Sequence, residues 1–242
     1  MDLLESNVGE QAISKLTEEG IRAQLDSVEA LTVEINTDPV KLTQGQVDRV
    51  LVEGQGLVIQ NDLRTEKLTF ETGAVDIAML RLPLGEIELE HPTDAKAKVV
   101  LRPEDIEKAF NAGYVKRKLR GQKVELSGEK VTTDASNVSF TIPQPGWIAF
   151  SADVMLMEKV ETCHVDFSAR PELINDGFGV VLNEVELDEE KNDSPELTRT
   201  LIEHTQTLLD LRFFELEGME LQFEQMRVES ERIVIEASAK AD

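Results

Sequence analysis

The stretch Ala30-Leu31-Thr32-Val33-Glu34-Ile35-Asn36 decides the fold class, because apolar and polar side chains alternate along it. A period of two places the apolar side chains on one face of a strand, so this stretch predicts a half-buried β-strand. The residues before Ala30 follow the period of a helix instead, with apolar side chains about every four residues. The change of period at Ala30 therefore predicts a helix followed by a sheet.

Strand patterns also fill most of the chain after this stretch. They lie near residues 46–60, 67–71, 74–82, 86–101, 123–126, 130–133, 138–143, 147–157, 162–169 and 179–187. Gly73 lies between two of them and predicts a hairpin turn. In the last hairpin the alternation slips by one residue between Phe223 and Met226, which predicts a β-bulge.

Two further helices are predicted between these strands. Pro103 suits the first turn of a helix over residues 102–119, and the bases near its end complement the helix dipole. Ser194 and Pro195 have the residue types that cap and begin another helix. Long antiparallel strands packed against a few helices make an α+β protein.

The charge of the chain excludes one class of function. It holds 48 acidic and 25 basic residues, a formal net charge of −23, which repels the phosphates of nucleic acids. Cys163 is the single cysteine, so no disulfide framework forms within the chain. The first residues have no basic, apolar signal pattern, and we expect the cytoplasm or a membrane surface as the location.

Motifs for catalysis or metal binding are not found in the sequence. Cys163 and His164 are neighbours in a strand pattern, so their side chains point to opposite faces and form no nucleophile and base pair. The acidic run 188–193 lacks the glycine of a calcium-binding loop. We therefore predict no catalytic residue, no metal site and no cofactor.

Residues 116–123 oppose the overall charge, with five bases and no acid. These bases either dock on anionic lipid head groups or complement the end of a helix. The single tryptophan likewise suits a membrane boundary or the packed start of a strand. The candidate docking residues are Lys116, Arg117, Lys118, Arg120, Trp147 and Phe150.

Several strands between residues 50 and 77 are apolar on both faces. Either protein layers cover both faces, or an apolar ligand occupies part of the interior. The candidate residues for such an apolar groove are Val50, Val52, Val58, Leu68, Phe70 and Ile77.

The segment Leu208-Leu209-Asp210-Leu211-Arg212-Phe213-Phe214-Glu215-Leu216-Glu217-Gly218-Met219-Glu220-Leu221, with the hairpin 226–237, resembles the LmeA-like phospholipid-binding family of bacteria. The resemblance extends back through residues 102–106, Leu57 after Gly56, and the opening helix. It implies curved antiparallel sheets wrapped against helices, similar to tubular lipid-binding folds. It also implies one domain over residues 1–242, which we expect to contain two sub-lobes dividing near residue 120.

Two functions are consistent with these observations. The first is a non-enzymatic lipid carrier or membrane-peripheral factor that holds the acyl chains of a phospholipid, or another apolar lipid, between sheet and helices. The alternative is an acidic scaffolding module with a fully packed core that binds a basic protein partner. The sequence predicts no nucleic-acid partner and does not determine the oligomeric state.

Overall fold

A computed structural model describes residues 3–38, 40–41, 44–60, 62–76, 93–208 and 219–241. The helices are α1 (Leu3–Gln24), α2 (Pro103–Asn111), α3 (Gly113–Leu119) and α4 (Pro195–Leu208). The strands are β1 (Ala30–Asn36), β2 (Gln46–Val47), β3 (Arg49–Ile59), β4 (Leu63–Thr72), β5 (Val75–Asp76), β6 (Thr93–Leu101), β7 (Gln122–Leu126), β8 (Glu129–Thr141), β9 (Ile148–Leu156), β10 (Glu161–Ile174), β11 (Gly179–Leu187), β12 (Met219–Glu229) and β13 (Arg232–Ala241). The chain is mostly antiparallel strand, which confirms the predicted α+β class.

Two large antiparallel sheets form the body of the described structure. The six-stranded sheet has the order β1-β3-β4-β6-β13-β12, and the five-stranded sheet has the order β11-β10-β9-β8-β7. The six-stranded sheet takes its strands from residues 30–101 and 219–241, and the five-stranded sheet from residues 122–187. The division into two sub-lobes near residue 120 stays a prediction.

Helix α2 and the edge strand β12 connect the two sheets, whereas α1 and α4 each pack on one sheet. Helix α1 packs on β1, α4 packs on β7, β10 and β11, and α2 contacts both β4 and β8. The edge strand β12 reaches the five-stranded sheet at the 3-10 turn Asn175–Gly177 between β10 and β11. The backbone N–H of Gly146 also donates to the carbonyl oxygen of Val228 at 2.8 Å.

Two local predictions, the start of helix α4 and a β-bulge in β12, are confirmed. Helix α4 begins at Pro195, and the Ser194 hydroxyl accepts a hydrogen bond from the backbone N–H of Leu197 at 3.3 Å. Leu197 is then fully buried against the five-stranded sheet. The register of β12 against β13 shifts between Phe223 and Gln225, as the slip in alternation predicts.

Three predictions about local structure are wrong. The helix over residues 102–119 is two helices, because Ala112 has an extended ψ of 145°. The patterns at 130–133 and 138–143 belong to one strand, β8, with a register shift between Ser136 and Ser139. Gly73 makes no hairpin, because β5 pairs with β2 and not with β4. Residues 77–82 and 86–92 of the predicted strands lie outside the described part of the chain.

Candidate functional site

One face of the six-stranded sheet is apolar from edge to edge. In antiparallel sheets, directly paired residues place their side chains on the same face. One row of pairs crosses all six strands and consists of Val33, Val52, Phe70, Ala97, Ala237 and Phe223. The row on one side of it contains Leu31, Gly54, Leu68, Val99, Ile235 and Met226. We call this surface the apolar face.

Small side chains lie along the middle of the apolar face. Ala97 pairs with Ala237 and Ala95 pairs with Ala239, so four alanines cover the centre of β6 and β13. Larger side chains flank them on β4 and on β12, where Phe70 and Phe223 are half-buried. Ala95, Ala237 and Ala239 are buried, and Ala97 is half-buried. We call this strip of four short side chains the alanine channel.

Helix α1 covers one border of the apolar face. Ile13 and Ile21 pack against the buried cluster that contains Leu31 and Val33 of β1. Leu16, which belongs to the same apolar pattern in the sequence, is 63% exposed. The helix therefore covers the β1 side of the face with only part of its predicted apolar stripe.

Most of the predicted groove residues lie on this surface. Val50, Val52, Leu68 and Phe70 all lie on the apolar face. Val58 lies beyond Gly56, which has a positive φ of 59°, and Val58 pairs with Arg64. Ile77 lies outside the described residues. The four alanines were missed, although each follows the strand alternation of its own segment.

A cluster of ion pairs lies where β4 meets α2. Arg64 donates to Asp105 at 2.7 Å and to Glu29 and Glu66 at 2.8 Å each. Arg102 also contacts Glu66, at 2.8 Å. Only 2% of the Asp105 side chain is exposed, so its charge depends on Arg64 for compensation. With three carboxylates around it, Arg64 joins β4 to α2 and to the link before β1.

The acid stability of this cluster is testable. Hydrogen bonding from Arg64 holds the pKa of Glu66 below its ordinary value of 4.5. A lowered folded-state pKa contributes stability fully above the unfolded-state pKa, and this contribution is lost as the pH falls through the folded-state pKa. We expect the free energy of unfolding to fall below pH 4.5, and Glu66→Gln to weaken that dependence. Urea unfolding at several pH values measures both proteins, and parallel pH profiles would contradict the assignment.

A small cavity of about 250 Å³ lies beside the ion pairs, between the ends of β3 and β4 and the helices α2 and α3. Its lining is mainly apolar and includes Ile59, Leu63, Leu101, Ile106, Phe110 and Val115. Pockets for whole drug-sized ligands are roughly 300–1,000 Å³, so this cavity fits part of such a molecule.

The basic run 116–123 and Trp147 lie in different places. Arg120 forms an ion pair with Asp134 at 3.2 Å, and Asp134 pairs with Met155 on β9. Trp147 immediately precedes β9, eight residues before Met155. In an extended strand, eight residues separate two Cα atoms by roughly 25 Å. The structure therefore does not bring the bases and the tryptophan together.

The surroundings of each docking candidate differ. Lys116 is half-buried and Arg117 is exposed, while the side chain of Lys118 lies outside the described part. The guanidinium of Arg170 lies 5.8 Å from the centre of the half-buried Trp147 ring.

Phe150 packs among other aromatic rings. Its centroid lies 5.5 Å from that of Phe110 in an edge-to-face contact and 5.6 Å from that of Phe167. The contact of these residues with a membrane stays a prediction.

Cys163 and His164 point to opposite faces of the five-stranded sheet, as predicted. Cys163 is buried among apolar side chains, and burial raises the pKa of its thiol. His164 Nδ1 lies 2.8 Å from Asp153 Oδ1. This partner of His164 was not predicted, because Asp153 lies on the neighbouring strand β9 and not near His164 in the sequence. Among the described residues, no three His, Cys, Asp or Glu side chains are grouped as metal ligands.

Comparison with known proteins gives one match. A family model described as LmeA-like phospholipid-binding matches residues 4–238, nearly the whole chain. Searches of curated proteins and of solved structures found no match. Within the described residues, no helix has the length and apolar character needed to cross a membrane.

Proposed function

The chain belongs to the LmeA-like phospholipid-binding family, and we propose that it holds an acyl chain of a phospholipid in the alanine channel. The observation that carries this proposal is the direct pairing of Ala97 with Ala237 and of Ala95 with Ala239. The short side chains at these four positions would let an acyl chain lie close to the sheet at the half-buried Ala97, and the flanking aromatic side chains would limit its sideways movement.

The energetics of such binding are adequate. Each methylene group that leaves water contributes about 0.8 kcal/mol, so a chain that buries about ten methylenes gains roughly 8 kcal/mol before the entropy of ordering is subtracted. No specific polar contact is needed to retain the chain. Head-group contacts then add selectivity, and we propose the exposed Arg117 and its neighbours Lys116 and Arg120 for this role.

We further propose that the protein carries or presents lipid and does not transform it. The family is described by binding and not by a reaction. The two adjacent residues with nucleophile and base chemistry, Cys163 and His164, lie on opposite faces of a sheet. A carrier requires only a reversible apolar site and access to a bilayer.

Filling the channel should remove the lipid. Ala97→Trp places a large ring over the channel, and we expect more than tenfold weaker phospholipid binding, since displacing about two methylenes forfeits roughly 1.6 kcal/mol. The matched control is Ala30→Trp, on the exposed opposite face of β1, which should bind as the wild type does. Native mass spectrometry after incubation with phosphatidylcholine and phosphatidylglycerol vesicles measures the bound fraction.

Three outcomes of this experiment are informative. Lipid bound by the wild type and by Ala30→Trp, and lost in Ala97→Trp, supports the channel. If tryptophan prevents folding, the smaller change Ala97→Leu answers the same question. A wild-type protein that stays free of lipid contradicts the proposal and favours the acidic module that binds a basic protein.

A further inference from the structure

The cavity of about 250 Å³ between the ends of β3 and β4 and the helices α2 and α3 is separate from the alanine channel. We call it the α2 cavity. Protein interiors are close-packed and contain few voids larger than a water molecule. A water molecule takes up about 30 Å³ of the liquid and a methylene group is of similar size, so the α2 cavity has room for roughly eight such groups.

The charged groups in the lining of the α2 cavity are already paired with each other. Arg64 and Asp105 both line it, and they form an ion pair at 2.7 Å. Arg64 also donates to Glu29 and Glu66. The other described lining residues are apolar, apart from Thr65. A buried water molecule needs two to four polar partners, so this lining suits a hydrocarbon segment better than water.

The α2 cavity is reached from the protein surface. Ile59, at the end of β3, lines the cavity and is 46% exposed. Val115 of α3 also lines it, and Lys116 and Arg117 follow Val115 directly in the chain. Two of the bases proposed to contact the head group therefore lie within two residues of the cavity wall.

The α2 cavity also adjoins the apolar face. Leu101 is the last residue of β6, and alternation along the strand places it on the same face as Ala97 and Val99. Leu101 pairs with Ile233, as Ala97 pairs with Ala237. Because Leu101 also lines the α2 cavity, the cavity and the apolar face share a wall. Four residues of extended strand separate Ala97 from Leu101, which is roughly 13 Å.

We propose that the α2 cavity holds part of the second acyl chain of a phospholipid whose first chain lies in the alanine channel. The two acyl chains leave adjacent carbon atoms of one glycerol, so their sites must lie side by side, as the shared wall at Leu101 allows. The occupant is a hydrocarbon chain because the charged groups of the lining are paired and most of the rest is apolar. The ligand is then a diacyl lipid. This inference rests on the proposed function, which supplies the first chain.

Ala109→Leu tests the α2 cavity directly, because Ala109 lines it and leucine adds three carbon atoms there. We expect the wild type to bind dilauroyl phosphatidylcholine more than tenfold more tightly than lauroyl lysophosphatidylcholine, since each further buried methylene contributes about fourfold. In Ala109→Leu this preference should fall more than tenfold, with binding of the lysophospholipid unchanged. The matched control is Ala23→Leu, at an exposed position of α1, which should keep the preference. Native mass spectrometry with each lipid below its micelle concentration measures the bound fraction.

The remaining outcomes separate the inference from its premise. If leucine prevents folding, the smaller change Ala109→Val answers the same question. Equal affinity of the wild type for the two lipids would overturn the inference and leave the proposed function standing. An Ala109→Leu protein that keeps the wild-type preference, or that loses both lipids equally, would also overturn it. A wild type that binds neither lipid contradicts the proposed function itself.

Discussion

Replacing Gly177 by alanine should destabilise the protein more than any other single methyl group added at a described glycine. Gly177 has a φ of 89° and lies where the turn between β10 and β11 meets β12. A Cβ at this position would overlap the backbone carbonyl oxygen of Phe223. Backbone strain of about 1–2 kcal/mol and overpacking of about 1–3 kcal/mol together predict a loss of roughly 2–5 kcal/mol. Thermal unfolding should show a decrease of about 10 °C for a chain of this size.

Gly121→Ala separates the two causes. Gly121 has a φ of 77°, yet no heavy atom lies within 4 Å of where its Cβ would be. This control therefore carries the backbone strain without the overlap, and we expect a loss of only about 1–2 kcal/mol. Equal losses for the two variants would show that the close approach of Gly177 to β12 does not hold in solution.

Asp105→Asn should give the second large effect. The change removes the charge that compensates Arg64 at a side chain that is 2% exposed, and it keeps the shape of the residue. Breaking a buried ion pair typically costs about 3–5 kcal/mol, and since Arg64 keeps Glu29 and Glu66 we expect a loss of about 2–4 kcal/mol. Urea unfolding at neutral pH measures this loss as a lower midpoint.

Glu104→Gln is the matched control for this effect. Glu104 lies beside Asp105 in the first turn of α2, but its side chain is 56% exposed. Both changes remove one negative charge from the positive end of the helix, which contributes about 0.3–1 kcal/mol. Glu104→Gln also removes an exposed ion pair with Arg102 at 3.6 Å, and exposed pairs contribute little, so the difference between the variants reports mainly the buried pair. A difference below about 1 kcal/mol would contradict the role of Asp105 as the buried anchor of Arg64.

The sequence predicted features that depend on neighbours along the chain. The start of α4 at Pro195 follows from side chains within a few residues. The bulge in β12 follows from the slip in alternation, because each residue that is added to a strand reverses the faces of those after it. The helix over residues 102–119 was predicted as one, because its capping signals do not show the break at Ala112.

The sequence predicted only part of the candidate site. The large apolar residues of β3 and β4 predicted an apolar face, and four of them lie on it. The alanines of the channel were not predicted as part of the site, because a single alanine in a sequence is compatible with many environments. Their meaning appears only when β6 and β13, far apart in the chain, become neighbours and pair alanine with alanine.

The sequence by itself thus determined the α+β class, the first residues of α2 and α4, the family and the faces of single strands. Tertiary structure alone decided which strands are neighbours, which carboxylates surround Arg64, and that Arg120 at the end of α3 pairs with Asp134 of β8, far from Trp147. The physical reason is the distance along the chain over which each effect acts. Periodicity and capping act over a few residues, whereas strand order is set by the burial of whole faces against each other.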